Sequence, residues 1–549
     1  MIISYHDRQK RFIESSVDSF YRNLKIDQKF TFDYVIVGAG SAGSVVANKL
    51  SNDPNNKVLL IEEGGYSTDI YRARDTLQYA EHFILSPDMS ITKIFQNARY
   101  EATNNRVIES LRGKVAGGCN AINGMVASIG NSYDYNDWAT ITGESAWAWN
   151  NTVYPIHIPD IFEHIPLKYN NDSDSINSEL RDALGNLGYE HNTNQFDGST
   201  YGFTLSVATQ KLGEDGLHHR VTSFSQYVDS ISRVRNNLSI FVRHKALRID
   251  FDTTVTPPRA KGIYLKNVFR GEYIYVEIGK ELILSAGAYD SPLLLQFSGV
   301  GDPNHLSKFG IETVINSPYV GKNMVDHLSM AVVGRPLKYH GQRVFKRDDS
   351  PYNGYRVFGP KSTDKKIKWV NSMGAIPLPL IFGTRFLCSI EMVAPTTVGY
   401  IEIERLEYDN ETFERPLLRV NHLSDPVEMD YVIDGLNSCK DTERELIKMD
   451  VINEHGGSFG LIDITETNID RIKSSIRSSI MTAYHPHGTL RMGPQDDITY
   501  PTNGQLKLKG SANIRIIDAS VIPISPSGNT NLPSIIVGLQ GSKFILNDN

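Results

Sequence analysis

The run Thr-Phe-Asp-Tyr-Val-Ile-Val-Gly-Ala-Gly-Ser-Ala-Gly at residues 31–43 decides the fold of this chain. Its apolar residues from Tyr34 to Val37 predict a buried strand, and three glycines then predict a tight turn into a helix. Gly38 permits the turn, Gly40 lets the backbone approach a pyrophosphate, and Gly43 permits close packing of the helix on the strand. The phosphates would lie at the N-terminus of that helix. The run therefore predicts a dinucleotide-binding unit, and by itself it fits FAD and NAD equally.

The residues that follow the glycines support this interpretation. Ala42 to Leu50 has a helical pattern, and Lys57 to Ile61 is a second apolar strand. Glu62 ends that strand about 20 residues past the last glycine, where an acid can bind both hydroxyls of an adenosine ribose. The alternative is a glycine-rich structural turn followed by an ordinary surface acid. The ordered combination of strand, turn, helix, strand and acid favours the dinucleotide site.

Length and composition indicate a globular protein with large cores. The chain has 549 residues, 40% of them hydrophobic, and no apolar run long enough to cross a bilayer. A net charge of -7, from 63 acidic and 56 basic residues, argues against a direct nucleic-acid partner. Cys119, Cys388 and Cys439 are too few and too scattered for a disulfide framework or a metal cage. We therefore expect three free thiols and no metal site.

The start of the chain lacks the apolar core of a secretory signal peptide, which predicts synthesis inside the cell. Residues 1–31 form an N-terminal extension, in which apolar side chains from Phe12 to Leu24 recur at helical spacing. We expect this helix to pack on its own domain; a partner-binding or targeting helix is the alternative. The acids Asp7, Glu14 and Asp18 argue against a transit peptide.

The rest of the chain alternates between strand-rich and mixed segments. Beyond residue 318, strands such as Val398 to Ile403 mix with helices such as Pro426 to Lys448, without a phosphate-loop signal. A buried strand at Ile514 to Ile517 and a helix from about Leu532 to Leu546 return to the pattern of the first unit. Hairpin strands are predicted at Leu238 to Phe251, Gly262 to Tyr264 and Tyr273 to Ser285.

Four separated motifs make the chain similar to the glucose–methanol–choline (GMC) oxidoreductases over nearly its whole length from Phe32. The first is the unit described above, which ends Leu-Ile-Glu-Glu-Gly-Gly at 60–65. The second is Gly-Lys-Val-Ala-Gly-Gly-Cys-Asn-Ala-Ile-Asn-Gly at 113–124, and the third is Gly-Ala-Tyr-Asp-Ser-Pro-Leu-Leu-Leu-Gln-Phe-Ser-Gly-Val-Gly at 287–301. The fourth comprises three short runs, at 485–493, 518–520 and 527–531.

The resemblance implies an α/β fold. In it, a Rossmann-like FAD-binding domain is interleaved with an α+β substrate domain built on an antiparallel sheet. We assign residues 32–165, 218–317 and 490–549 to the FAD-binding domain, and residues 166–217 and 318–489 to the substrate-binding domain.

The resemblance also implies the cofactor and its contacts. Some members attach FAD covalently through a histidine in the second motif, and Ile122 stands at that position here, which implies non-covalent FAD. Within the same motif Ala116 replaces a larger aliphatic residue, and Cys119 is expected to be a small buried residue rather than a redox thiol. The residues implied to contact FAD are Gly38, Ala39, Gly40, Ser41, Gly43, Glu62, Val115, Gly118, Cys119, Asn123, Gly124, Met125, Val126, Val242, Asp518, Ala519 and Thr530.

The fourth motif carries the residue types that alcohol oxidation requires. A hydroxyl proton must be removed while a hydride leaves carbon for flavin N5, so a base must face the flavin. The resemblance places His485 at the base position, where imidazole suits the task because its pKa lies near working pH. It places Asn529 beside the alkoxide oxygen. His487, two residues on in an extended segment, should point away from His485. The C-terminal helix should aim its positive end at the flavin N1–C2=O edge.

The leading hypothesis is FAD-dependent oxidation of a small primary alcohol, with reoxidation by O2 or another electron acceptor. Aromatic residues in Tyr79 to Tyr100 and in Phe382 to Phe386 could line an aryl-alcohol pocket, although core packing is the alternative. Two other functions stay open: a non-redox lyase such as the flavin-containing hydroxynitrile lyases, and a surface or structural protein with an idle flavin. The chain is rich in Asn, Ile, Lys, Asp and Tyr, a bias typical of an AT-rich genome. This composition and the N-terminal extension also resemble a giant-virus member of the family, which would allow a virion location.

Overall fold

The computed structural model describes residue 21 and residues 24–66, 88–172, 176–338, 354–361, 366–377, 384–405, 415–455 and 466–548. The helix expected from Phe12 to Leu24 falls mostly outside these residues, as do Tyr79 and Phe382. Tyr21 is described, and its ring centroid lies 5.2 Å from that of Tyr264.

A seven-stranded sheet carries the glycine turn. Four of its strands and the short strand Ile514–Ile516 are joined by parallel pairs, and the last two strands are added by antiparallel pairs. Parallel strands are covered on both faces, and Val58–Glu62 is accordingly buried at every residue. Apart from Ile514–Ile516, which pairs with Tyr273–Leu284, the order across the sheet is Leu238–Val242, Val58–Glu62, Gln28–Val37, Tyr273–Leu284, Arg259–Asn267 and His244–Asp252.

The helix after the glycine turn packs against the C-terminal helix. Gly538 makes the close approach possible, because a Cβ there would lie 2.9 Å from the carbonyl oxygen of Ala42. The contact closes the main hydrophobic core over the sheet. In the described part of the chain, the α-helices are Ser41–Leu50, Ser132–Thr142, Ile158–His164, Asn177–Asn186, Gly287–Phe297, Pro303–Leu306, Pro426–Lys448, Ile469–Ser479 and Asn531–Asp548.

A second sheet has six strands, all joined by antiparallel pairs. One face is apolar and packs on the helix Pro426–Lys448 in a separate core that includes Met330, Ile390 and Leu436. The opposite face carries polar side chains. Among them, Arg356 is paired with Ser372, and Ser372 with Ser389, across three neighbouring strands. The strand order is Met481–Thr482, Leu328–Pro336, Thr384–Met392, Trp369–Pro377, Gly354–Gly359 and Phe203–Leu205.

Short two-stranded pieces and tight helical turns lie outside the two sheets. The strand pairs are Thr92–Gln96 with Glu109–Gly113, Lys168–Tyr169 with Val207–Ala208, Gln210–Leu212 with His218–Arg220, Val300–Gly301 with Ile315–Asn316, Tyr400–Arg405 with Arg415–Arg419, and Met492–Gly493 with Thr502–Asn503. The turns are the 3-10 segments Glu101–Thr103, Gly118–Ala121, Ser145–Trp147, Ser307–Phe309 and Ala519–Val521, and the π-helical segments Trp149–His157 and Phe224–Asp229.

Most elements expected from the sequence are present with small shifts of their ends. The strand and helix of the glycine unit extend over Gln28–Val37 and Ser41–Leu50, and the helix Pro426–Lys448 has the expected bounds. One parallel-rich sheet and one antiparallel sheet confirm the expected α/β fold class. The assignment of chain segments to two domains stays a prediction.

The expectation of a hairpin strand from Leu238 to Phe251 was wrong for its first five residues and is confirmed from His244 onward. The chain turns at Arg243, whose φ of 60° lies in the left-handed region. Leu238–Val242 therefore runs parallel to Val58–Glu62 at one edge of the first sheet, and only His244–Asp252 enters the hairpin.

The expectation of three free thiols was also wrong. Cys388 lies on a strand of the second sheet and Cys439 on the helix that packs on it, and the two form a disulfide bond. They are 51 residues apart in sequence, so only the packing of helix on strand brings their Cα atoms to 6.0 Å. Cys119 is free. Within the described ranges, no helix has the length and apolar character to cross a membrane, and no acidic, His or Cys cluster could hold a metal.

Candidate active site

The glycine turn has the geometry that each of its glycines permits. Gly38 has a φ of 107°, which L side chains rarely adopt, and a Cβ on Gly43 would lie 2.0 Å from the carbonyl oxygen of Gly38. A Cβ on Gly40 would meet no atom within 4 Å. The turn is thus closed toward the sheet and open at Gly40, next to the N-terminus of the helix Ser41–Leu50. An anionic group has both space and a favourable helix dipole there.

The second glycine-rich loop lies directly against this turn. The backbone N–H of Gly117 donates to the carbonyl of Ala39 over 2.9 Å, and a Cβ on Gly118 would lie 2.9 Å from the Cα of Gly40. Further along the loop, Asn123 Oδ1 accepts hydrogen bonds from the backbone N–H of Met125 and from Arg220. The structure therefore brings the start of the loop, at Gly117 and Gly118, against the turn. The roles expected for Val115, Cys119, Asn123, Gly124, Met125 and Val126 stay predictions.

Glu62 ends its strand beneath the turn. Its two carboxylate oxygens accept backbone N–H groups from Ala39, at 3.2 Å, and from Gly64, at 2.9 Å. Burial raises the pKa of Glu62 to about 7, and the two hydrogen bonds oppose that shift. Val242 is paired with Glu62 across the sheet. The acid is fixed at the end of the strand, beside the residue expected to lie near the adenine.

Asp518 organises the backbone on the other side of the turn. One carboxylate oxygen accepts the Gly287 N–H at 2.8 Å and the Ser291 hydroxyl at 2.6 Å, while the other accepts the N–H and hydroxyl of Ser520. The Ser285 hydroxyl donates to the carbonyl of Ile517 over 2.8 Å. These bonds fix the chain at Asp518 and Ala519 against the third motif, whose glycine turn begins the helix Gly287–Phe297.

The segment Asn529-Thr530-Asn531 links this turn to a second polar cluster. Asn531 Oδ1 accepts hydrogen bonds from Ser41 Oγ at 2.8 Å and from Asn120 at 2.6 Å. Two residues earlier, the Asn529 amide nitrogen lies 3.2 Å from His485 Nε2. The N-termini of the helices Ser41–Leu50 and Asn531–Asp548 therefore converge beside the His485–Asn529 pair.

A hydrogen bond fixes the backbone of His485, and the groups around its ring disfavour protonation of the imidazole. Its backbone N–H donates to Asp326 Oδ1 over 2.9 Å. Burial lowers the pKa of His485 to about 3, and His487, Arg112 and Arg356 add to the effect. The Arg112 guanidinium itself donates to the carbonyl of Tyr484 over 3.1 Å. The ring is accordingly neutral at physiological pH, and its pKa lies well below the value near working pH expected from the sequence, because the site excludes water from the ring.

Three residues at or next to His485 were not predicted from the sequence: Asp326, His327 and Ser525. His327 Nδ1 lies 3.1 Å from His485 Nδ1, and His327 Nε2 lies 2.8 Å from Ser525 Oγ. Asp326 accepts the Thr482 hydroxyl in addition to the His485 N–H. The adjacent Asp-His pair at 326–327, at the start of a strand, was the available signal. Its contact with His485 spans 158 residues, so local pattern could not reveal it.

His487 does not share the position of His485. Its Nδ1 lies 2.9 Å from the carbonyl oxygen of His485, and its Nε2 lies 3.1 Å from Ser525 Oγ. Burial lowers the pKa of His487 to about 4. The side chain is buried, with its ring directed to the Ser525 hydroxyl.

The residues around the turn fit a bound dinucleotide. The space at Gly40 suits a pyrophosphate, and the two helix N-termini supply positive dipole ends. Among the described residues, no group hydrogen-bonds the buried Asn531 Nδ2 or the buried Asn529 Oδ1. Buried polar atoms in proteins usually have partners, and a ligand seated between the turn and His485 would supply them.

Comparison with known proteins decides the identity of this arrangement. Models of the GMC oxidoreductase family match residues 32–329 and residues 395–538. The chain belongs to the GMC oxidoreductase family. The expected family, its α/β fold class and its FAD cofactor are thereby confirmed, and the chain is an FAD-dependent oxidoreductase. The roles of individual residues stay predictions.

Individual GMC relatives match over almost their whole length. An oxygen-dependent choline dehydrogenase of Chromohalobacter salexigens is 27% identical and is matched over 92% of this chain and 93% of its own. An alcohol dehydrogenase (acceptor) of Pseudomonas putida is 28% identical, over 94% and 96% of the two chains.

Solved structures show the same fold. Pyridoxine 4-oxidase from Mesorbium loti superposes with a TM-score of 0.78 at 21% identity, covering 93% of this chain and 98% of that one. A fungal aryl-alcohol oxidase superposes with a TM-score of 0.75 at 18% identity, covering 94% and 99%.

Proposed function

We propose that this GMC oxidoreductase oxidises a small primary alcohol, aryl alcohols included, with His485 as the base that removes the hydroxyl proton. The observation that carries the proposal is the His485–Asn529 contact of 3.2 Å beside two converging helix N-termini. The named relatives support the substrate class, since they include a choline dehydrogenase, an alcohol dehydrogenase and an aryl-alcohol oxidase.

FAD, when bound, supplies the acceptor for the hydride that leaves the alcohol carbon, and O2 or another acceptor takes the electrons afterwards. The residues proposed to hold it without a covalent bond are those around the glycine turn. Gly40 gives space for the pyrophosphate, Glu62 lies at the ribose end, and the Asn531 amide faces the helix junction. The positive end of the helix Asn531–Asp548 favours electron density on the group it faces.

His485 and Asn529 have different roles at the hydroxyl group of the substrate. A neutral imidazole has one nitrogen lone pair, and an Asn529 N–H occupies His485 Nε2 in the structure. An entering hydroxyl displaces that N–H and donates to Nε2, and the Asn529 amide then donates to the hydroxyl oxygen. The proton moves to Nε2 as the bond to hydrogen at carbon breaks. Positioned base catalysis of this kind contributes about 10²- to 10⁴-fold in rate.

The experiment is an anaerobic titration of the purified holoenzyme with aryl and aliphatic primary alcohols, with the oxidised-flavin absorption band as the readout. We expect at least one primary alcohol to bleach the band, and its secondary or methyl-ether analogue to leave it unchanged. A flavin band that no alcohol bleaches, combined with cyanide release from mandelonitrile, would contradict the proposal and establish a lyase instead.

A further inference from the structure

The proposed base and three side chains beside it form one continuous hydrogen-bonded chain. His485 Nδ1 lies 3.1 Å from His327 Nδ1, and His327 Nε2 lies 2.8 Å from Ser525 Oγ. Ser525 Oγ lies 3.1 Å from His487 Nε2, and His487 Nδ1 lies 2.9 Å from the carbonyl oxygen of His485. The chain thus begins at the His485 ring and ends at the backbone of the same residue.

All three imidazoles in the chain are neutral at physiological pH. Burial lowers the pKa of His485 to about 3 and that of His487 to about 4. Burial, together with the neighbouring His485, His487 and His422, places the pKa of His327 well below its ordinary value. A neutral imidazole carries one N–H donor and one lone pair, so each ring can donate at one nitrogen only.

This restriction leaves only one donor-to-acceptor direction along the hydrogen-bonded chain. The His485 carbonyl oxygen can only accept, so His487 Nδ1 carries the proton and His487 Nε2 must accept from the Ser525 hydroxyl. Because the only proton of that hydroxyl is used, Ser525 Oγ accepts from His327 Nε2. His327 Nδ1 is then a lone pair, and it accepts from His485 Nδ1.

We infer that His327, Ser525 and His487 are positioning residues that hold His485 in the tautomer with its proton on Nδ1, leaving Nε2 bare for the substrate. The inference rests on the proposed role of His485 as the base. The contact at the other ring nitrogen agrees with this tautomer, because His485 Nε2 faces the Asn529 amide nitrogen, which can only donate.

The chain also favours the charged form that proton uptake creates. When Nε2 takes the hydroxyl proton, the alcohol loses one proton and His485 gains one, and no other group changes its proton count. The Nδ1–H of the resulting imidazolium still donates to the lone pair of His327. That hydrogen bond is then charge-assisted and stronger than before. Arg112 and Arg356 oppose the new charge, so the bond to His327 offsets part of their effect.

The direct test reads the tautomer without any alcohol. In nitrogen-15 spectra of the FAD holoenzyme with labelled histidine, assigned through a His485→Asn variant, we expect His485 to be protonated at Nδ1 and unprotonated at Nε2. In Ser525→Ala the direction of the chain is lost, and we expect a mixture of both tautomers. Ser525→Thr keeps the hydroxyl and is the matched control, with the wild-type spectrum.

The kinetic arm uses an alcohol that the enzyme oxidises. At metal sites, loss of the partner that orients a ligating histidine costs about 10- to 100-fold in activity, and we expect Ser525→Ala to lose kcat by a similar factor. We expect KM and FAD content to stay unchanged, and Ser525→Thr to recover the rate. His487→Asn serves as a second variant, with the same expected loss, if Ser525→Ala does not fold.

A wild-type His485 protonated at Nε2 would overturn the inference, and so would a Ser525→Ala enzyme with one tautomer and full kcat. Because the tautomer is read without substrate, this outcome is independent of whether alcohols reduce the flavin. Failure of the inference and failure of the proposed function are therefore distinguishable.

Discussion

Two glycines of the first motif face opposite surroundings although they are three residues apart. A Cβ on Gly43 would lie 2.0 Å from the carbonyl oxygen of Gly38, whereas a Cβ on Gly40 would meet no atom within 4 Å. The backbone of Gly40 has a φ of -82°, which any residue can adopt. Gly43 is therefore required by the fold, whereas Gly40 is required only by the group that we propose to bind at the turn.

This contrast predicts different defects in two matched variants. Gly43→Ala overpacks the contact between helix and strand, and overpacking of this kind costs about 1–3 kcal/mol of the free energy of unfolding. Gly40→Ala leaves the unfolding free energy of the FAD-free protein unchanged but removes space for the pyrophosphate. Denaturant unfolding of the FAD-free protein and the flavin content of the purified holoenzyme measure the two effects. An FAD content equal to wild type in Gly40→Ala would contradict the proposed site.

At the scale of elements, one covalent bond joins the second sheet to its covering helix. Cys388 on the strand Thr384–Met392 and Cys439 on the helix Pro426–Lys448 are both fully buried in the core between them. The bond closes a loop with a sequence separation of 51 residues. It restricts the unfolded chain and thereby stabilises the packing of this helix on the sheet.

We expect that breaking this disulfide costs about 2–4 kcal/mol of the free energy of unfolding. Cys388→Ala, Cys439→Ala and the double variant should lose similar amounts, because each removes the same bond. Denaturant unfolding under non-reducing conditions measures the loss. Thiol titration of the denatured wild-type chain should find Cys119 alone before reduction and three thiols after it. Three thiols before reduction would show that the bond does not form.

At the scale of the whole molecule, the site is assembled from segments far apart in the sequence. Asn529 and His485 are 44 residues apart, and His327 lies 158 residues before His485. Asn531 bonds Ser41 across 490 residues. The C-terminal helix therefore joins the end of the chain to its first motif, and places the proposed catalytic pair beside the glycine turn.

Local pattern was sufficient for the parts of this arrangement that depend on neighbouring residues. The strand, turn and helix at Gln28–Leu50 follow from a continuous apolar run and its glycines, and the helix Pro426–Lys448 follows from its periodicity and N-terminal Asp-Pro. Four ordered motifs were sufficient for the family.

What the sequence did not reveal depends on tertiary contact. The Cys388–Cys439 bond requires the packing of one helix on one strand, and the left-handed turn at Arg243 carries no glycine to signal it. The roles of His327 and Ser525 arise only because three chain segments meet at His485. A lone serine has no pattern that distinguishes it from an ordinary core residue, and the adjacent Asp-His pair at 326–327 gives no sign of its partner 158 residues away.

The measurement that tests the account most directly is the rate of anaerobic flavin reduction by a saturating alcohol in wild type and in His485→Ala. We predict a rate about 10²- to 10⁴-fold lower in the variant, with FAD bound as in wild type, because the group that removes the hydroxyl proton is gone. Exposed His455→Ala is the matched control and should keep the wild-type rate. A His485→Ala enzyme whose flavin is reduced as fast as wild type would contradict the role assigned to His485.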